Sequence, residues 1–240
     1  MKLSTEPGKR LLTLAIREVI DATPRARIVR VDLDGHSFDY RPGQAVLLGM
    51  HGDVRRRVYS LAGTPEEAVT HRYLELLVGC HDNGQFVPNV SFAPGVEVDV
   101  EGPIGGFVLP PEPPSRLLFV AGGTGIAPLR SMLRHALTGC PRDLRLIYSA
   151  RNADDFAYRT EFEELARDGR LRLHLTMTRE AQPTTWLGSR GRIGLDNLPP
   201  VENDDTTLCF VAGPHSFVRD TTELLQRLGI HSSNIRIQDR

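Results

Sequence analysis

The run Phe119-Val120-Ala121-Gly122-Gly123-Thr124-Gly125-Ile126-Ala127-Pro128 carries the clearest chemistry in the sequence. An apolar stretch enters a glycine cluster, and a helix follows it. Glycine permits a tight turn and close approach of a ligand to the backbone, and the first turn of the helix offers unpaired N–H groups to a phosphate. Pro128 is tolerated there, because its missing N–H falls where a donor lacks a helical partner anyway. The spacing matches neither the Gly-x-Gly-x-x-Gly dinucleotide fingerprint nor the Gly-x-x-x-x-Gly-Lys-Ser/Thr phosphate loop. From the residues alone, the run is a phosphate-binding loop or a closely packed strand-to-helix turn.

Other chemistries find little support. The eight histidines are scattered and form no His-Glu-x-x-His or paired ligand spacing. Cys80, Cys140 and Cys209 are far apart and form no Cys-x-x-Cys pair. A disulfide framework, a zinc site and a four-thiolate iron–sulfur cluster are therefore not expected, and no metal is assigned. No Ser/His/Asp order or carboxylate pair marks a hydrolase. The 240 residues carry 29 basic and 30 acidic side chains, so the electrostatic footprint of a nucleic-acid binder is missing. With 40% hydrophobic and 25% charged residues, the composition is that of a folded globular protein. The glycine-rich stretch Leu117–Leu129 is too short to span a bilayer, and Met1–Arg10 lacks the apolar core of a signal peptide. A cytoplasmic protein without a membrane span is the expectation.

These residues need elements to position them. Leu109-Pro110-Pro111-Glu112-Pro113-Pro114-Ser115 divides the chain, since such a run fits neither a helix nor a central strand. Before it, short apolar runs alternate with turns: Leu11–Ile20, Ile28–Leu33, Gln44–Met50, Arg57–Ala62, Tyr73–Val78 and Val96–Val100. They predict six strands of an antiparallel barrel, with Gly63-Thr64-Pro65 as a turn and a short helix near Asp82. After it, strands and helices alternate. Strands are predicted at Leu117–Val120, Leu144–Tyr148, Leu171–Thr176, Leu208–Val211 and Ile235–Ile237, and helices at Pro128–Leu137, Asp154–Arg167 and His215–Leu228. That alternation predicts a parallel sheet covered on both faces. The expected organisation is a barrel domain over 1–109, a linker over 110–115 and an α/β domain over 116–240. The first 115 residues carry a net charge of -3 and the remainder +2, which puts the positive excess where a polyphosphate would bind.

Four elements, in order, resemble the ferredoxin–NADP reductase superfamily. Arg57-Val58-Tyr59-Ser60 is similar to its Arg-x-Tyr-Ser flavin motif, and Gly102-Pro103-Ile104-Gly105-Gly106-Phe107 to the element that closes its flavin domain. Ala121–Pro128 resembles its pyridine-nucleotide signature, and Ala212-Gly213-Pro214 stands where the family usually has Cys-Gly-Pro. The resemblance covers nearly the whole chain. It implies a six-stranded antiparallel flavin-binding barrel followed by a parallel α/β NAD(P)-binding domain.

The resemblance also implies roles. Arg57 would hold a flavin phosphate, for which its rigid fork of donors is suited. Tyr59 would pack on the flavin ring, and the Ser60 hydroxyl, the one residue assigned to catalysis, would lie near flavin N5. Gly84, Gln85 and Phe86 lie where family members bind the flavin pyrophosphate. Val87 replaces the usual hydroxyl residue there, which leaves FMN as an alternative to FAD. Gly123, Thr124, Gly125, Gly213 and Pro214 would bind the nicotinamide nucleotide. Thr178 and Arg179 resemble the pair that grips the 2′-phosphate of NADPH, with Arg190 and Arg192 shortly after, so NADPH is preferred over NADH as donor. The implied activity is a flavin-dependent NAD(P)H oxidoreductase that passes electrons to a separate redox protein such as a ferredoxin, a flavodoxin or an oxygenase component. An electron-transfer subunit of a larger complex and a non-catalytic nucleotide-binding regulator are the alternatives.

Overall fold

A computed structural model of the chain describes residues 10–80, 92–139, 143–179, 186, 188–195 and 207–239. The first part forms β1 (Arg10–Thr23), β2 (Ala26–Asp32), β3 (Ala45–Met50), β4 (Arg57–Ser60), helix α1 (Pro65–His71), β5 (Tyr73–Gly79) and β6 (Glu97–Ile104). Leu12, Leu14 and Ile16 alternate inward along β1 while Leu11, Thr13, Ala15 and Arg17 face out, the period-two pattern of a half-buried strand. The strands form one antiparallel sheet in the order β4-β3-β6-β1-β2-β5. A bridge between Leu61 and Leu76 joins its two edges and closes the barrel. Its core includes Val29, Val46, Leu48, Leu74 and Val98.

The second part forms β7 (Arg116–Gly122), a 3-10 turn (Gly123–Gly125), α2 (Ile126–Ala136), β8 (Asp143–Ala150), α3 (Arg159–Arg167) and β9 (Arg172–Met177). It continues with β10 (Ser189–Arg190), β11 (Thr207–Gly213), α4 (His215–Arg227) and β12 (Ile235–Asp239). All six strands are parallel, in the order β10-β9-β8-β7-β11-β12. Leu117, Phe119 and Ala121 face one side with α2 and α3, whereas Leu118 and Val120 face the other with α4. The β7 run is thus buried on both faces, as a central parallel strand requires. Among the described residues, no helix is long and apolar enough to cross a membrane.

Three expectations need correction. Gly63-Thr64-Pro65 opens α1 rather than a simple turn: Thr64 Oγ1 accepts from the Glu67 N–H, Glu67 accepts in return from the Thr64 N–H, and Pro65 occupies the first turn. The helix expected from Asp154 starts at Arg159, because Asn152 and Asp155 close a separate 3-10 turn and Tyr158 adopts a left-handed conformation at φ 60. Between the strands expected at Leu171–Thr176 and Leu208–Val211 lies a further short strand, β10, paired with β9. The helix expected near Asp82 lies outside the described residues.

The two sheets meet along α2. Ala26, Ala62 and Leu77 of the barrel join the core cluster that contains Phe119, Leu129 and Phe210. A polar network crosses beside them. Arg130 of α2 donates through Nη1 to the Ala62 carbonyl at 2.8 Å and to Glu75 Oε1 at 3.0 Å. Its Nε donates to Glu161 Oε2 at 2.9 Å.

Candidate functional site

In the parallel sheet the chain starts at β7, moves outward through β8, β9 and β10, and returns to β11 on the other side. The switch point therefore lies between β7 and β11. In open α/β sheets, ligands bind outside the carboxyl ends of the strands at such a point. A cleft of about 690 Å³ opens there. Gly123, Thr124, Gly125, Thr178, Arg179, Gly213 and Pro214 all line it. Thr23, Arg25, Ala26, Leu77 and Cys80 of the barrel form the opposite wall. Seven residues singled out in the sequence thus share one cleft between two halves of the chain.

The glycines are required by two different constraints. A Cβ on Gly125 would lie 2.2 Å from the Ala212 carbonyl oxygen, and one on Gly213 would lie 2.8 Å from the Phe217 ring. These two positions let the turn after β7 pack directly on the end of β11. Gly123 has φ +54 and meets nothing within 4 Å of its would-be Cβ, so its backbone faces open space. The turn leads into α2, whose start has no side-chain cap. The Ile126 N–H bonds back to the Gly123 carbonyl and Pro128 has no N–H, so what α2 offers a phosphate beyond the turn's own backbone is chiefly the positive end of its dipole.

Next to this turn lies a cationic rim. The Thr178 N–H donates to the Ala150 carbonyl at 2.9 Å, and the Arg179 N–H to the Arg151 carbonyl at 2.8 Å. These bonds hold the loops after β8 and β9 side by side. Arg151, Arg179 and Arg192 line the same cleft, and all three are exposed. Arg192 is 3.9 Å from Asp220. Arg190, expected to add charge, lies on β10 and is not among the lining residues. Arg151 was missed from the sequence, although its position directly after a strand neighbouring β9 was the available signal.

The other candidates sit on β4. Arg57 is exposed at its start, a cationic fork of the kind that suits a phosphate. Tyr59 is buried in the barrel cluster, its ring edge-on to Phe92 with centroids 6.2 Å apart. Its ring therefore packs inward rather than lining the cleft. Ser60 is buried, and its hydroxyl donates to Gln238 Oε1 at 3.5 Å. Gln238 is paired with Ala212 across β12 and β11. The last residue of β4 thus sits one strand away from Ala212-Gly213-Pro214, the end of the nucleotide cleft. This sequence-distant pairing was not legible beforehand. A guanidinium at Arg57 and a hydroxyl at Ser60 on one strand are donors of the kind a flavin's acceptor groups need. Gly84, Gln85 and Phe86 lie outside the described residues.

Cys209, three residues before Ala212, is buried in the α4-side core, and burial pushes its thiol up to about 12. It does not stand in for the cysteine usual at position 212. Among the described residues, no three His, Cys, Asp or Glu side chains gather as a metal site.

Comparison with known proteins agrees with this geometry. Residues 119–223 match the family model described as an oxidoreductase NAD-binding domain. The chain is 31% identical over 216 residues to ferredoxin–NADP reductase B of Sorangium cellulosum, covering 85% of this chain and 87% of that protein. It is 29% identical to the glycine betaine monooxygenase reductase subunit of Pseudomonas aeruginosa, covering 82% of this chain but 55% of that subunit. A crystal structure of an Amycolatopsis cytochrome P450 reductase superposes with a TM-score of 0.84 at 27% identity, over 96% of this chain and 70% of that one.

Proposed function

The chain belongs to the ferredoxin–NADP reductase superfamily, and from that premise we propose that it is a flavin-dependent NAD(P)H oxidoreductase serving a separate redox-protein acceptor. A bound flavin would supply the redox chemistry, hydride acceptance from the nicotinamide and onward electron release. The chain's residues bind and orient. The observation that carries this reading is the contact of Ser60 with Gln238, which brings the end of the Arg-x-Tyr-Ser strand beside Ala212-Gly213-Pro214.

Each residue has a part in the proposal. Gly123, Thr124 and Gly125 receive the nucleotide pyrophosphate on backbone N–H groups at the start of α2. Thr178 and Arg179, joined by Arg151 and Arg192, hold the 2′-phosphate and favour NADPH over NADH. Gly213 and Pro214 leave room for the nicotinamide. Arg57 neutralises a flavin phosphate, and Ser60 offers its hydroxyl at the reacting edge. Tyr59 supports the flavin from beneath as part of the barrel wall. Gly84, Gln85 and Phe86 contribute to the flavin pyrophosphate site, and FAD is preferred over FMN.

Residues 1–109 act as the flavin domain, 110–115 as the linker and 116–240 as the nucleotide domain. The acceptor is a ferredoxin, a flavodoxin or an oxygenase component, the first and last in keeping with the names of the similar proteins, and the protein works in the cytoplasm. The test is reconstitution with FAD or FMN followed by steady-state NADPH oxidation with ferricyanide as artificial acceptor. FAD-dependent turnover supports the proposal. A protein that binds NADPH yet takes up neither flavin would replace it with a nucleotide-binding regulator.

A further inference from the structure

The two halves meet through an apolar contact with a charged centre. Its apolar part includes Ala26, Ala62, Leu77 and Leu109, with the Phe107 ring edge-on to Phe210 at 5.6 Å. At its centre are two charges taken out of water: the side chains of Arg130 and Glu75 are 8% and 5% exposed. A buried ion pair adds little stability relative to a well-packed apolar contact, but it demands one geometry. Here that demand is complete. Glu75 Oε1 accepts from Arg130 at 3.0 Å and from the Tyr158 hydroxyl at 3.2 Å, while Oε2 accepts from Arg30 Nε at 2.8 Å. Arg130 also stacks over the Tyr158 ring at 4.2 Å and reaches Glu161 and the Ala62 carbonyl.

The positions of the bonded groups give the network its meaning. Ala62 is two residues beyond Ser60, and Arg130 is five residues beyond Gly125 on the helix that the glycine turn opens. We propose that Arg130 and Glu75 form a buried clamp that sets the register of the glycine turn against the end of β4. Both are then positioning residues for the nicotinamide and flavin, and this role rests on the reductase reading above. The other ion pairs across the halves, Arg25 with Asp155, Arg134 with Glu67 and His135 with Glu66, are all more exposed than this one.

Arg130→Lys keeps the charge and loses the planar fork that reaches Ala62, Glu75 and Glu161 together. The experiment compares it with wild type by anaerobic stopped-flow mixing with NADPH, by NADP⁺ binding, and by amide hydrogen exchange of both flavin-loaded and flavin-free protein. Expected are a flavin-bleaching rate lower by roughly 10- to 100-fold, unchanged flavin content and NADP⁺ affinity within about threefold, as a small misplacement of reactants costs rate rather than binding. Faster exchange at residues 61–63 and 123–125 is expected with or without flavin. Tyr158→Phe, which removes one bond to Glu75, should show the same pattern in weaker form and carries the test if Arg130→Lys does not fold. A wild-type bleaching rate in a folded variant, or a loss that merely follows flavin content or nucleotide affinity, overturns the clamp. Wild-type protein that NADPH does not bleach overturns the reductase reading instead, and the exchange data then judge the clamp by themselves.

Discussion

Arg179 is where the choice of nucleotide is most directly exposed to test. It shares an exposed rim with Arg151 and Arg192, beside the Thr178 hydroxyl. A hydrogen bond to a charged group contributes about 1.5–3 kcal/mol, so Arg179→Ala should raise KM for NADPH by roughly 10- to 100-fold. NADH, lacking the 2′-phosphate, should be affected little; equal loss for both nucleotides would remove the phosphate assignment. Arg57→Ala should lower flavin occupancy while leaving the α/β half folded, measured as flavin per protein alongside NADP⁺ binding. Unchanged flavin content would show the motif assignment to be misplaced. Residue type and neighbours single out these two arginines in the sequence. Arg151 is not singled out, because its relevance comes from a loop-to-loop bond with Arg179 that only the parallel sheet creates.

Turns and strand ends carry the next set of consequences. Gly125→Ala would drive a methyl group into the Ala212 carbonyl, so the turn must separate from β11. Overpacking of this kind costs about 1–3 kcal/mol, which should appear as a lower denaturant midpoint together with weaker NADP⁺ binding. Loss of neither would mean that the turn yields freely.

In the barrel, His51 is raised from its ordinary value of 6.5 by its hydrogen bond to Asp99, whose carboxyl is in turn held below its ordinary value of 3.8. Thr13 and Arg56 also bond Asp99. The His51 contribution is complete below its unfolded value and fades as pH rises through its raised folded value. The Asp99 contribution is complete above its own unfolded value and fades as pH falls. His51→Ala should therefore lower the urea midpoint more at mildly acidic pH than at alkaline pH, and an equal change at both would contradict the pairing. The strand pattern was legible from period-two alternation, as in β1. Helix α1 was legible in principle, since Thr64-Pro65-Glu66-Glu67 is a capping box with proline in the first turn, but Gly63 and Pro65 around Thr64 also make a turn signal that masks it.

At the scale of the molecule, the order barrel then α/β sheet could be read from the change of pattern across the prolines. The relation between the two halves could not. Ser60 and Gln238 are 178 residues apart, and nothing in either local sequence announces their contact. The same holds for Glu75 and Arg130, whose types suggest surface residues until the fold buries them. Breaking a buried pair by removing one partner costs about 3–5 kcal/mol. Arg130→Leu should therefore lower thermal stability far more than Arg134→Leu, whose side chain is 35% exposed. Comparable losses would place the weight of the interface elsewhere.

The central claim is that the two halves bring a flavin and a nicotinamide together. Its most direct measurement is the visible spectrum of the FAD-loaded protein during anaerobic titration with NADPH and, separately, NADH. The flavin band should bleach at stoichiometric NADPH and only at much higher NADH. A flavin band unmoved by either nucleotide would contradict the claim.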